Sequence, residues 1–280
     1  MITASIVLYK TPKHQINDVL NSVLNSNNIY KLFIIDNYTT DENRVFFKTC
    51  SLNKIIEYIP HENTGYGASH NIAIRKAIEM NSDYHVVLNP DIRFDPDVLK
   101  SLYNYMEEHK EIGHVMPKIV NESGEIQYLC KLLPSPFDLI FKRFLPKTIT
   151  KKATYKFQLR FSDYDKEMDV PYLSGCFMFF RTSALTEVNG FDERFFMYPE
   201  DIDITRRIHR NWRTVYYPRV FVYHLHAAES YHSKKMLLIH IQNMIKYFNK
   251  WGWFFDNERK KFNKETLQKL NYKSIRKGDK

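Results

Sequence analysis

Glycine is scarce in this sequence, 8 among 280 residues, and proline contributes only 11. That excludes collagen-like and glycine-rich low-complexity architectures and argues against long flexible linkers; no segment repeats at a fixed period. Cysteine is rarer still: Cys50, Cys130 and Cys176 are odd in number, far apart, and form no Cys-x-x-Cys pair. A zinc ribbon or a dithiol redox motif is therefore unsupported, and free thiols in a reducing cytoplasm are expected. No apolar run approaches the roughly 18 residues that cross a bilayer. Residues 1–9 are one short apolar run with no basic segment or cleavage site, so no signal peptide is read. These absences leave a cytoplasmic protein, soluble or peripheral at a membrane.

What is present is a core-forming composition, 44% hydrophobic and 15% aromatic, in a length that suits one large domain or two small ones. The net charge of +9 is local: residues 231–280 hold 13 Lys+Arg against 4 Asp+Glu, and the remainder balances to zero. This basic tail carries Trp251, Trp253, Phe254 and Phe255. It reads either as a membrane-surface element or as a solubilising terminal helix. A nucleic-acid face would instead distribute basic and stacking residues over the body, so no nucleic-acid partner is expected.

Residues 4–9 and 31–35 are β-rich, the second run ending at Asp36-Asn37. Between them Ile16, Val19, Leu20, Val23 and Leu24 recur with helical period, which makes one β-α-β crossover. Residues 54–59 predict a third strand, 69–80 a helix, and 84–88 a fourth strand running into Asn89-Pro90-Asp91. A helix over 96–109 with Asp95 as N-cap follows. Residues 123–170 are less regular, with a short amphipathic helix over 137–145. A helix starts near Glu200, two edge strands occupy 214–217 and 220–223, and the tail is helical with Leu237, Leu238, Ile241, Met244, Ile245 and Phe248 on one stripe. Alternating strands and helices predict an open, mostly parallel, Rossmann-like α/β sheet flanked by helices. In such sheets ligands gather at the carboxyl ends of strands, where Asp36 and Asp91 both fall; the competing reading is that each is a turn former.

The densest chemistry is Phe191-Asp192-Glu193-Arg194-Phe195-Phe196-Met197-Tyr198-Pro199-Glu200-Asp201-Ile202-Asp203. Carboxylates framed by aromatics are costly to desolvate without a partner, so this stretch reads as a site. Glu200-Asp201 offers a base, and Arg206 and Arg207 offer pairing or phosphate contact. Asn89-Pro90-Asp91 is turn chemistry, or a carboxylate for a hard divalent cation with an imidazole from His224 or His226.

Taken in order, Ser5-Ile6-Val7, Ile35-Asp36-Asn37, Asn63-Thr64-Gly65-Tyr66-Gly67-Ala68-Ser69-His70-Asn71, Leu88-Asn89-Pro90-Asp91, Leu173-Ser174-Gly175-Cys176-Phe177-Met178, Gly190-Phe191-Asp192-Glu193, residues 196–203 and His224 resemble the family 2 inverting glycosyltransferases, specifically bacterial O-antigen and capsule rhamnosyltransferases. The resemblance covers about residues 3–231 and implies a GT-A fold over 1–230, with a nucleotide-binding half (1–120) and an acceptor or catalytic half (121–230), followed by the tail. It implies a nucleotide-sugar donor, dTDP-rhamnose foremost, and a glycan or lipid-linked glycan acceptor in cell-surface polysaccharide synthesis. Asp36 matches the base-contacting aspartate, and Asn63, Gly65 and Asn71 the loop and helix start near the nucleotide. Asp91 matches the last position of the DxD-type metal motif, with Asn89 in the place of its first carboxylate. Asp201 matches the catalytic base, with Glu200 beside it as acceptor-positioning group or partner of Arg206, and the aromatic run 195–198 is the wall beside the reacting sugar. His224 matches a histidine near the diphosphate and metal, which implies Mg²⁺ or Mn²⁺. The tail then meets an anionic membrane at its inner face. An inactive sugar-nucleotide-binding relative and a nucleotidyltransferase are the competing functions.

Overall fold

A computed structural model describes residues 1–50, 53–140, 145–225 and 234–272. The strands are β1 (Ile2–Leu8), β2 (Ile29–Asp36), β3 (Ile56–Pro60), β4 (Tyr84–Leu88), β5 (Ile92–Arg93), β6 (Ile112–Val120), β7 (Cys130–Lys131), β8 (Met168–Asp169), β9 (Tyr172–Leu173), β10 (Phe177–Arg181) and β11 (Arg213–His224). The main sheet runs β3-β2-β1-β4-β10-β6-β11-β5, with β8 joined to β11, and β7 pairs separately with β9. β1 to β4 are parallel, β10 is antiparallel to both neighbours, and β11 is parallel to β6. Thus a mostly parallel α/β sheet forms as expected.

The helices are α1 (Lys13–Asn25), α2 (Asp41–Cys50), α3 (Tyr66–Glu79), α4 (Asp97–Glu108), α5 (Pro136–Leu139), α6 (Lys147–Phe157), α7 (Thr182–Val188), α8 (Glu200–Ile208), α9 (Lys234–Trp251) and α10 (Asn257–Lys269). β1 and β4 are buried along their whole length, as strands covered on both faces must be. On one face Ile2, Ala4, Ile6 and Leu8 join the α1 residues Ile16, Val19, Leu20 and Val23 in the main core. On the other, Val7 meets Phe33, Ile35 and Ala73. Thr3 and Ser5 on that second face are satisfied by histidines. Ser5 Oγ lies 2.7 Å from His70 Nδ1 and 2.9 Å from His85 Nε2, and Thr3 Oγ1 lies 2.8 Å from His85 Nδ1.

Several boundaries differ from the sequence expectation. The segment expected to form two edge strands is one strand, β11, with a register shift between Tyr217 and Phe221, and it lies inside the sheet between β6 and β5. Pro218 removes one donor there, and the irregularity accommodates it. α4 begins at Asp97 without a side-chain cap; Asp95 contributes its carbonyl, which accepts from Val98 N at 3.1 Å. α3 starts at Tyr66, three residues earlier than expected. Of the short helix expected over 137–145, α5 ends at Leu139, and residues 141–144 lie outside the described residues.

The C-terminal helices lie against the body. Met244, Tyr247 and Phe248 of α9 are buried with Leu133, Phe195, Ile202 and Phe262, whereas Leu238 and Ile245 of the expected stripe are exposed. Arg206 of α8, 1% exposed, makes a two-pronged ion pair with Asp256 at 2.6 and 2.8 Å and a third contact to Glu258 at 2.7 Å. Its guanidinium also stacks 4.0 Å from the Trp251 ring centre. One turn earlier, fully buried Asp203 accepts from Lys250 Nζ at 2.5 Å, Trp251 Nε1 at 2.8 Å and Arg207 Nε at 2.7 Å.

Candidate active site

Strand polarity brings the site together. Leu8 pairs with Asp36 and Ile6 with Leu88, so β1, β2 and β4 end at one edge of the sheet. β10 runs the opposite way and pairs Phe177 with Leu88, so its amino end arrives at that same edge. Asn89 N consequently donates to Cys176 O at 2.9 Å, joining the turn after β4 to Gly175-Cys176.

Tyr66 sits between these parts. Its hydroxyl donates to Asn89 Oδ1 at 3.0 Å and lies 2.8 Å from Gly175 O. Burial pushes its phenol well up, and the charges of Glu200, Cys176, Asp201 and Asp91 add to the shift. The Cys176 thiol, pushed up to about 12 by burial, feels Asp91 and Asp201 in the same way. Asp91 and Asp201, 110 positions apart in sequence, therefore flank one small region.

On one side of it, His224 Nε2 lies 3.5 Å from Asp91 Oδ2. Gln127 fixes the ring: its Oε1 is 2.9 Å from His224 Nδ1 and its Nε2 donates to the His224 carbonyl at 2.7 Å. That partner favours the proton on Nδ1 and leaves the Nε2 lone pair on the Asp91 side of the ring, where a cation could take it. No group of three or more His, Cys, Asp or Glu side chains that could hold a metal occurs among the described residues. One carboxylate plus one imidazole suits a hard divalent ion that takes its other ligands from phosphate and water.

On the other side, the first turn of α8 carries Glu200 and Asp201. Asp201 accepts from Gly175 N at 3.1 Å and from Ile202 N at 2.8 Å. Burial raises its pKa, opposed chiefly by the charge of Lys131 and then by those amides. Glu200 is 5% exposed, and its Oε2 has no hydrogen-bond partner among the described residues. Burial first, and Asp201 second, raise its pKa well above the carboxylate range. Of two adjacent carboxyl groups, Asp201 has amides and the Lys131 charge to favour its anion, whereas burial and an anionic neighbour favour the neutral acid of Glu200.

At the carboxyl end of β2, Asp36 is fully buried and receives three donors: Tyr38 N at 3.0 Å, Asn43 Nδ2 at 3.0 Å and Tyr58 Oη at 2.6 Å. Asn63 is exposed, with its Oδ1 accepting from Gly65 N at 3.2 Å. Gly65 has φ +105°, and a Cβ there would lie 2.3 Å from Phe196 O, while Tyr66 N donates to that same carbonyl at 2.9 Å. Asn71 works in the same seam. It bonds both to Phe191 N and to Phe191 O, at 2.8 and 2.9 Å, and is 4% exposed. The Asn71 side-chain amide thus fastens the loop after Gly190 to α3, at the helix start that was expected near the nucleotide.

The surrounding contacts narrow two expectations. Arg206 is held by Asp256 and Glu258, not by Glu200, and Arg207 bonds to Asp203 and Gly190 O. Within the aromatic run Phe195 is buried in the core and Tyr198, following a left-handed turn into a cis bond to Pro199, is the exposed member, edge-on to His240 at 5.5 Å. His226 lies outside the described residues.

Sequence reasoning missed several residues here. Lys131 sits opposite Tyr172 in the β7–β9 ladder, its Nζ 3.4 Å from the Tyr172 hydroxyl. Tyr9 and Tyr38, both about half exposed, meet edge-on at 5.9 Å beside Lys10, which is 4.9 Å from the Tyr38 ring centre. Only Tyr66 carried a local signal, its place between Gly65 and Gly67.

Over residues 2–242 the sequence matches the profile of the family described as "Glycosyltransferase like family 2". The chain is a family 2 glycosyltransferase. It is 31% identical over 181 residues to the N-acetylglucosaminyl-diphospho-decaprenol L-rhamnosyltransferase of Mycobacterium tuberculosis, covering 60% of this chain and 57% of that protein. The Escherichia coli K12 rhamnosyltransferase WbbL is 26% identical over 228 residues, covering 78% of this chain and 81% of its own length. In fold this glycosyltransferase is similar to the mannosyltransferase PcManGT of Pyrobaculum calidifontis, solved with GDP-Man and Mn²⁺. That match has a TM-score of 0.58 at 15% identity, covering 88% of this chain and 64% of that one. The architecture is GT-A. No helix among the described residues is long and apolar enough to cross a membrane.

Proposed function

We propose that this glycosyltransferase moves a deoxyhexose, rhamnose from dTDP-rhamnose, with inversion onto a glycan or lipid-linked glycan acceptor in cell-surface polysaccharide synthesis. The observation that carries the reading is the arrangement of Asp201, which accepts from two backbone amides, and the Asp91–His224 pair about Tyr66. The rhamnosyltransferase names of the two relatives support the sugar.

Asp201 takes the proton from an acceptor hydroxyl as its oxygen attacks the anomeric carbon from the face opposite the nucleotide. A single displacement inverts that centre, and no covalent enzyme intermediate forms. Glu200, kept neutral by burial, leaves Asp201 as the proton acceptor. Asp91 and His224 would hold Mg²⁺ or Mn²⁺ shared with the donor diphosphate, where such an ion offsets the charge of the leaving group. Asn89 and Tyr66 line the same wall. Asn63 and Gly65 lie beside the nucleotide, and Asp36 supports the base site, which Tyr9 and Tyr38 wall on its open side. Residues 231–280 place the enzyme peripherally at the cytoplasmic face of an anionic membrane, since Lys and Arg gain about 1 kcal/mol each near such a surface.

Thermal shift across a series of nucleotide sugars, with and without Mn²⁺, tests the donor: dTDP-rhamnose should raise the melting temperature most, and more with the ion. Asp201→Asn should cut transfer about 10²- to 10⁴-fold while the dTDP-rhamnose shift persists. Undiminished turnover would remove the base assignment.

A further inference from the structure

The two most exposed large apolar side chains among the described residues are neighbours: Phe254 is 73% and Phe255 89% exposed. They form the tip of the turn between α9 and α10. The turn is built rather than loose. Gly252 adopts φ +99° with its N bonded to Phe248 O at 2.8 Å, and a Cβ there would lie 2.6 Å from Phe255 O. At the far foot, Asp256 caps α10 through Arg259 N at 2.8 Å.

Both feet are fastened to the helix that carries Asp201. Trp251 donates to Asp203, and Asp256 clamps Arg206. The acids near the turn, Asp256 and Glu258, are occupied by Arg206 and Arg210. Lys260, Lys261 and Lys264, the next exposed cationic side chains along the chain, stand on α10. An exposed apolar tip followed closely in the chain by exposed lysines matches the interface of an anionic bilayer, where aromatic side chains enter the headgroup boundary and lysines meet the lipid phosphates.

We propose that the 252–255 turn is the membrane-inserting element of this protein, and that its two tethers fix the active-site helix at a set height above the lipid surface. This deepens the peripheral-membrane reading of residues 231–280 by naming the element that inserts.

The test uses the full chain, because α9 and α10 supply the partners of Asp203 and Arg206. Cosedimentation is measured with vesicles of phosphatidylcholine alone and of phosphatidylcholine mixed with phosphatidylglycerol. The unaltered protein should bind the mixed vesicles. Replacing Phe254 and Phe255 by Ser should weaken binding on the order of tenfold per phenylalanine, with an unchanged melting curve. Lys260→Glu/Lys261→Glu should weaken it and flatten its salt dependence. Brominated acyl chains should quench tryptophan fluorescence in the unaltered protein only. Binding that survives the double Ser substitution would overturn the insertion element while leaving the peripheral reading intact. No binding by the unaltered chain would overturn both. Self-association that the double Ser variant abolishes, without vesicle binding, would assign the turn to a second copy of the chain and overturn the proposal. None of these readouts depends on sugar transfer.

Discussion

Glu200 and Asp201 are consecutive carboxyl groups in unlike surroundings. Asp201 has Gly175 N, Ile202 N and the charge of Lys131 to favour its anion, although burial still leaves its pKa raised. Glu200 has burial and an anionic neighbour, both of which favour the neutral acid. A base must be ionised to act, so turnover should fall as pH drops through the Asp201 pKa, which burial raises from the ordinary aspartate value. Replacing Lys131 by Met removes the largest opposing influence and should move the acidic limb of the kcat–pH profile to higher pH; an unmoved limb would remove Lys131 from the site. The placement of Asp91 after a strand end and of Glu200 and Asp201 at a helix start was legible because both are local patterns. Lys131 and Gln127 were not, because each reaches the site from an irregular stretch through contacts made across the fold.

At the scale of elements, the seam between α3 and the 191–203 loop is narrow. Gly65 admits Phe196 O where any side chain would collide, and its positive φ adds strain for other residues. Gly65→Ala should cost about 1–3 kcal/mol in urea unfolding and lower turnover by displacing the loop that carries Glu200 and Asp201. The Arg206–Asp256 pair makes a second element-level test. Arg206→Met leaves Asp256 buried without its counter-charge and should cost about 3–5 kcal/mol, whereas Arg206→Met with Asp256→Leu should recover much of it. Elements with clean periodicity were legible from sequence, α1 and β4 among them. β6 was not, because it is buried on nearly every residue and contains Pro117, which gives neither alternation nor an unbroken β-former run. β10 was read as a motif, and its antiparallel course, which brings Gly175 to the site, is a tertiary fact.

For the whole molecule, buried histidines set the response to acid. Burial lowers the His85 and His114 pKa values from 6.5 to about 3. The unfolded chain therefore binds protons that the folded chain refuses. Stability is complete above the unfolded value, begins to fall as pH drops below about 6.5, and continues falling toward about 3, at up to about 1.4 kcal/mol per pH unit per histidine. Melting temperature against pH should show that decline, and His114→Phe, on a ring already 4.4 Å from Phe180, should make it shallower. The fold class was legible at this scale from the strand–helix alternation, while the fastening of α8 to the tail was hidden by the tail's basic excess, which masked two acids with fixed partners. Synthesis runs from the amino end, and Asp203 and Arg206 of α8 find their counter-charges at positions 250–258. A growing chain can lay down the sheet before residues 250–258 emerge, but until then Arg206 has no counter-charge and Asp203 has only Arg207, so the setting of the helix bearing Asp201 should follow formation of the sheet.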